Sequence, residues 1–368
     1  MVDTMLDASL PPEIKHLADQ IMANCHRSDA RYAGSFSLCG LLLRLRDFFR
    51  WESGLAPWAS IEGEAVLDWI QAREDLWCDL EKEDVIPLKW QGRQVNAYDF
   101  AEINRDIVPQ GFYYGAGLAA FMKPTFFLAR LLRRENLNGL TVSYLGDELA
   151  RDLFTVPAMT RGNEIVARRR PLAAYLWDTI LHSGESKQKA IELTLERYDL
   201  NRRDFDRPDR EWRDRFENML DGEMEPFVRH EYGETTDLTF PSGEWRTIIG
   251  AHPHSRVELM ARTIKDLLAD TNESGRLTFI VEHRREASLG IYVALLDGLS
   301  SYLFSEIGPV FEEFLTDRNW AAVDQARRIA YARAEKMARQ LLDLARENRP
   351  PEWLAEQVEK SMYKPLNL

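Results

Sequence analysis

The chain has 368 residues, of which 45% are hydrophobic and 29% charged, with a formal net charge of −13. That length is more than one small core needs, and that balance is the composition of a globular chain rather than a disordered one. The acidic excess disfavours bulk association with nucleic acid or an anionic membrane surface, and the longest basic run, Arg168-Arg169-Arg170, reads as a solvated strand end or helix start. The three cysteines, Cys25, Cys39 and Cys78, are too few and too odd in number for a disulfide framework and fit a reducing compartment. Residues 1–10 lack the apolar centre of a secretion signal. The most apolar stretch, 287–304, is interrupted by Asp297 and falls short of the roughly 20 residues a membrane helix requires. The expectation is a cytoplasmic protein with no membrane partner.

In chain order, residues 1–85 read as a helical part. Pro11-Pro12 precede Ile14, Leu17, Ala18, Ile21, Met22 and Cys25, an apolar stripe at helical spacing. A second helix places Leu38, Leu41, Leu42, Leu45, Phe48 and Phe49 on one side, and a third starts near Glu62. Residues 86–170 read as a small α+β unit. A hairpin is expected at 86–90 and 93–96 around Gln91-Gly92. Further strands are expected at 112–114, 141–145 and 164–168, with short helices at 124–134 and 146–154. The run Gly115-Ala116-Gly117-Leu118-Ala119-Ala120 fits a dinucleotide fingerprint in letters, but Pro124 would break the helix that must follow. A tight strand-to-strand turn is expected there.

Residues 171–368 read as a C-terminal helical bundle. Helices are expected at 172–181, 187–198 and 209–220, with a new short one beginning at Pro226. Ser255-Arg256-Val257-Glu258 is a capping-box pattern. A lone strand is expected at 277–281, then one long helix from 287 towards 306 that stops at Gly308-Pro309. The last long helix repeats Val323, Ala330, Met337 and Leu344, and Trp320, Arg327, Ala334 and Leu341, every seven residues. Packing inside the bundle is the simpler reading, and a homodimer seam through residues 320–344 is the alternative. The fold expected overall is mainly α, with a short, mostly antiparallel sheet between two helical parts.

Two constellations carry candidate chemistry. Cys25, His26 and Asp29 are nucleophile, base and metal-ligand types. Adjacent helical side chains diverge by about 100°, so Cys25 and His26 cannot pair while both are helical. An end of the helix at this point would gather His26, Ser28 and Asp29 instead. The second constellation is His230, Glu231 and Glu234 on one helix face, with His252 and His254 shortly before the capping box. Histidine and carboxylate together suit a divalent metal, and histidines near a helix N-terminus suit a neutral ligand or an anion site. The order is neither that of helical di-metal sites nor that of zincins.

The segment CHRSDARYAGSFSLCGLLLRLRDFFRW at 25–51, and the KPTFFLA and GDELARDLF runs in the region beginning at Tyr114, resemble a family of bacterial proteins of unassigned function. The resemblance implies a bacterial origin and no particular reaction. Three functional readings stand on the residues themselves. The first is a divalent metal or an anionic small molecule bound in a helical cleft by His230, Glu231 and Glu234 with His252 and His254. The others are an interaction protein that self-associates through its last helix, and a thiol enzyme using Cys25.

Overall fold

The structure, a computed structural model, describes residues 10–119, 122–206 and 208–366. The described residues are mainly helical, with a mixed sheet in the middle of the chain. They divide into two compact units. One comprises the described residues up to Pro157 together with Arg161–Trp177, and the other Ala158–Thr160 with the described residues from Asp178 on. No described helix is long and apolar enough to cross a membrane.

The first unit is organised by helix α1 (Pro12–Tyr32), which Pro12 opens at no hydrogen-bond cost. Its buried positions are Ile14, Leu17, Ala18, Ile21, Asn24, Cys25, Ser28 and Asp29. The stripe therefore continues through its polar members. The helix runs on to Tyr32 because Asn24, Ser28 and Asp29 find partners inside, and the expected end near Cys25 is not there. Helices α2 (Leu38–Glu52) and α3 (Gly63–Leu80) follow. Only Leu45 and Phe48 of the α2 stripe are buried; Leu38 and Leu42 lie on the surface.

Strands β1 (Leu88–Trp90) and β2 (Arg93–Val95) form the expected hairpin, with Gln91 and Gly92 both at positive φ, as a two-residue primed turn requires. Helix α4 (Phe100–Ile107) leads to β3 (Phe112–Leu118), β4 (Pro124–Leu137) and β5 (Leu140–Arg151). After β6 (Ala158–Arg161) and β7 (Glu164–Arg168) the strand order is β3-β4-β5-β7-β6. The β3/β4 and β4/β5 pairs are antiparallel and β5/β7 is parallel.

Three expectations in this region are corrected. Residues 124–134 and most of 146–154 are strand, not helix. Thr125–Ala129 are buried in succession, and a short continuous apolar run has no periodicity to tell strand from helix. GDELAR is made largely of good helix formers, but pairing with β4 across the Asn138-Gly139 turn overrides that preference. Gly115 lies inside β3 rather than in a turn: a Cβ there would sit 2.0 Å from the ring of Phe127, its cross-strand partner. Arg168, expected in solvent, is buried at the end of β7, while Arg169 opens helix α5 (Arg169–His182) as anticipated.

The second unit holds α6 (Gln188–Arg197), α7 (Arg210–Thr236), α8 (Ser242–Ala251), α9 (Arg256–Thr271), α10 (Arg276–Glu282), α11 (Glu286–Leu295), α12 (Gly298–Leu303), α13 (Ile307–Asp317), α14 (Trp320–Arg346) and α15 (Pro351–Val358). The lone strand expected at 277–281 is helix α10, packed on α7 and α9. The single helix expected from 287 towards 306 is two, α11 and α12, broken where Asp297 caps α12 and Gly298 takes φ 43°. Gly308-Pro309 falls in the first turn of α13, where proline is tolerated. Helix α14 buries Val323, Ala326, Arg327, Ala330, Ala334, Ala338, Leu341 and Leu342 within its own unit, chiefly against α9. Arg327, the one charged member of the heptad, donates to the carbonyl of Thr271 at 2.6 Å and so caps the C-terminus of α9.

Pro226 does not start a helix; it lies inside α7. A proline there cannot donate to the carbonyl four residues back. That carbonyl, Gly222 O, accepts instead from Arg285 Nη2 at 2.6 Å. Arg285→Met should therefore cost about 1–3 kcal/mol, the penalty for leaving this part-buried carbonyl without its donor. Pro226→Ala in that background should recover part of the loss by restoring the backbone donor. Denaturant midpoints of the two single variants and the double variant measure this, and additive losses would contradict it.

Candidate functional site

The end of α1 places Cys25, Ser28 and Asp29 against the start of β4 and the segment after β5. Cys25 is buried and its Sγ donates to the carbonyl of Phe126 at 3.3 Å. The buried Lys123 ammonium lies 2.9 Å from Asp29 and 3.3 Å from Asp152, and donates to Ser28 Oγ at 2.9 Å. Ser28 in turn donates to the carbonyl of Pro124. Backbone amides complete the set. Leu153 N donates to both Asp29 oxygens at 3.1–3.2 Å, and Phe126 N and Phe154 N donate to Asp152 at 3.0 and 2.8 Å.

Burial, aided by Asp152 and opposed by Lys123, raises Asp29 to about 6. Burial also works to discharge Lys123, but Asp152 and Asp29 outweigh it and hold the ammonium above its usual value. Burial and then the same two carboxylates push the Cys25 thiol well above its ordinary range. A protonated thiol and a charged lysine are neither nucleophile nor base near neutrality. What this arrangement does chemically is hold an ion cluster in the core.

His26 points elsewhere. Its ring nitrogens lie 3.0–3.3 Å from Arg73 Nη1, and Arg73 grips both oxygens of Glu52 at 2.6–2.7 Å. Burial first, then the Arg73 charge, lowers His26 to about 4. The chain therefore brings Ser28 and Asp29 together and sends His26 to a separate ion pair.

In the second unit, a ring nitrogen of His230 and one carboxylate oxygen each from Glu231 and Glu234 lie within 4.8 Å of one another, all half-buried on α7. Each of the three is tethered by a further group. His230 Nδ1 is 2.8 Å from Asp270 Oδ1, Thr160 Oγ1 donates to Glu231 Oε2 at 2.8 Å, and Lys265 lies 2.7 Å from Glu234 Oε1. Burial opposes the imidazolium of His230, but Asp270, then Asp266 and Glu231, raise it to about 10. Burial raises both Glu231 and Asp266, with nearby Glu234 adding to each; Asp266 reaches about 6.

His252 and His254 do not join this group. His252 is buried at the end of α8, where burial lowers its pKa, and its carbonyl accepts from Ser255 Oγ at 2.6 Å. His254 sits at φ 56° and its backbone N donates to Glu258 Oε2 at 2.8 Å. Glu258 is thus a capping group, as its spacing after Ser255 indicated.

Sequence reasoning missed Lys123, Asp152, Asp266 and Asp270. Asp266 and Asp270 had a usable signal, since they stand four apart on a helix whose apolar face was already read. Lys123 and Asp152 had none, because they meet Asp29 only through the sheet.

Two family models match the chain. That described as "Family of unknown function (DUF6866) N-terminal domain" covers residues 16–168, and that of the C-terminal domain of the same family covers 173–364. The chain belongs to this family, and the likeness read at 25–51 and from Tyr114 onward lies within the N-terminal match. No curated protein and no solved structure matches it.

Because His26 has a lowered pKa, the unfolded chain takes up a proton that the folded chain refuses as pH falls from 6.5 towards 4. Stability contributed at His26 is present above pH 6.5 and declines across that window, by about 3 kcal/mol at most. His26→Gln should flatten this part of the stability profile, and urea unfolding at pH 7 and pH 4.5 reads it. An unchanged slope would contradict the assignment.

Proposed function

We propose that the second unit binds a divalent cation through His230, Glu231 and Glu234. The observation that carries this reading is the tethering of every candidate ligand. Asp270 holds Nδ1 of His230, leaving Nε2; Thr160 holds one oxygen of Glu231, leaving the other; Lys265 holds one oxygen of Glu234, leaving the other. Metal-bound histidines and carboxylates are fixed in this way by the groups behind them. One nitrogen and two carboxylate donors suit first-row ions from Mn2+ to Zn2+. The surroundings favour a cation over an anion, since Asp266 and Asp270 add to the negative charge of the two glutamates. A bound cation would displace the Nε2 proton of His230 and supply the counter-charge that this proton provides without it. His252 and His254 are left out of the proposed ligand set.

Metal analysis of protein purified without a polyhistidine tag is the test, with melting followed as Mn2+ or Zn2+ is added. The expected result is about one ion per chain and a stability gain of about 2.7 kcal/mol at a hundredfold excess over Kd. Both should be lost in Glu234→Gln and His230→Gln. Far less than one ion per chain, with melting indifferent to added metal and to chelator, would overturn the proposal.

A further inference from the structure

A cavity of about 430 Å³ opens in the first unit, towards the lower end of the range for small-molecule sites, about 300–1,000 Å³. Its wall comes from α1, the end of α2 with the loop after it, β5, and the start of α5. Asp147, Glu148, Leu149 and Arg151 all line it, although strand neighbours ordinarily face opposite ways. The β4/β5 register shifts between Leu128 and Ala129, and again between Ala129 and Leu131. Such irregularities re-aim side chains next to functional sites, and here they turn one stretch of strand towards a single space.

On the side of the wall that β5 forms, the charges are already matched. Arg151 lies 2.7 Å from Asp47 and 3.6 Å from Glu148, Arg168 lies 2.6 Å from Glu148, and Arg170 lies 2.6 Å from Asp147. Glu52, also in the wall, is held by Arg73. An anionic or cationic ligand group on this side would have to displace one of these partners. Hydroxyl groups need not, because each donates and accepts and can use the lone pairs and N–H groups that the ion pairs leave over. Among the paired groups of the wall, Asp47, Asp147 and Arg170 keep side-chain surface that such hydroxyls can reach. Trp51, Leu55, Pro57 and Leu149 give the same cavity an apolar side.

We propose that this cavity binds an uncharged, polyhydroxylated small molecule of monosaccharide size. Its hydroxyls meet the Asp147–Arg151 stretch of β5 together with Asp47 and Arg170, and its C–H face meets Trp51 and Leu55. The site lies in the first unit and is independent of the cation proposed for the second.

Titration calorimetry of the full chain with D-glucose, D-ribose and myo-inositol tests this, with inorganic phosphate and glycine as charged comparators. The expected result is saturable binding of at least one polyol with Kd of about 10 mM or tighter, weakened about tenfold or more in Glu148→Gln. Asp147→Asn, at a half-exposed position, should also weaken binding and serves if the buried variant fails to fold. No saturable polyol binding, tighter binding of phosphate or glycine, or polyol binding unaffected in the folded variants would each overturn the proposal.

Discussion

A single ammonium group, Lys123 Nζ, lies between two buried carboxylates that come from parts of the chain more than a hundred residues apart. Taking such charges out of water costs several kcal/mol per ion, and their mutual attraction repays this only with good geometry and further hydrogen bonds. Those bonds are present. Ser28 accepts from the lysine, and the amides of Phe126, Leu153 and Phe154 donate to the carboxylates. The cluster therefore fixes where α1 ends against the sheet, how β4 begins and how the chain leaves β5. An apolar contact could slide by one residue at each of these places; this set of directed bonds cannot.

The same logic runs along α1. Gln20, Asn24 and Ser28, four residues apart, each bond backbone groups beyond the helix: Lys89, Ile86 and Pro124 respectively. Beside them the apolar stripe packs into a core with Leu88, Trp90, Phe112, Tyr114, Phe126 and Leu128. The helix thus supplies both the greasy face and the polar ratchet that sets the register of what lies on it. Further along, Arg151 and Arg168 extend the buried ionic set through Glu148 and Asp47 to the wall of the cavity. In the second unit, charges play the same positional part at Arg285, which answers the proline in α7, and at Arg327, which closes α9.

Much of the architecture was legible because amphipathic spacing and turn chemistry are local. The helix after Pro11, the hairpin at Gln91-Gly92 and the capping Ser255 all rest on residues close in sequence. Residues 124–134 and 277–281 were misread in opposite directions, each being a short apolar run whose state is decided by what packs on it. Polar residues inside a stripe look, in sequence, like its end. Ser28 and Asp29 instead continue the buried face of α1, and their partner Lys123 is invisible to any local pattern. The acidic helix face at His230 was readable from spacing alone, whereas the separation of His252 and His254 from it depended on the turn between α8 and α9. His26 and Asp29 are only three apart, yet Arg73 and Lys123 draw them into different environments.

Native-state hydrogen exchange at the Leu153 and Phe154 amides in Lys123→Met tests the central role of the buried lysine most directly. It reads opening at the cluster itself, whatever the second unit does. Removing one partner of a buried ion set costs about 3–5 kcal/mol, so protection at these amides should fall by roughly two to three and a half orders of magnitude. Protection that stays within about threefold of the parent chain, less than 1 kcal/mol, would contradict the claim that this lysine holds the helix and the sheet in register.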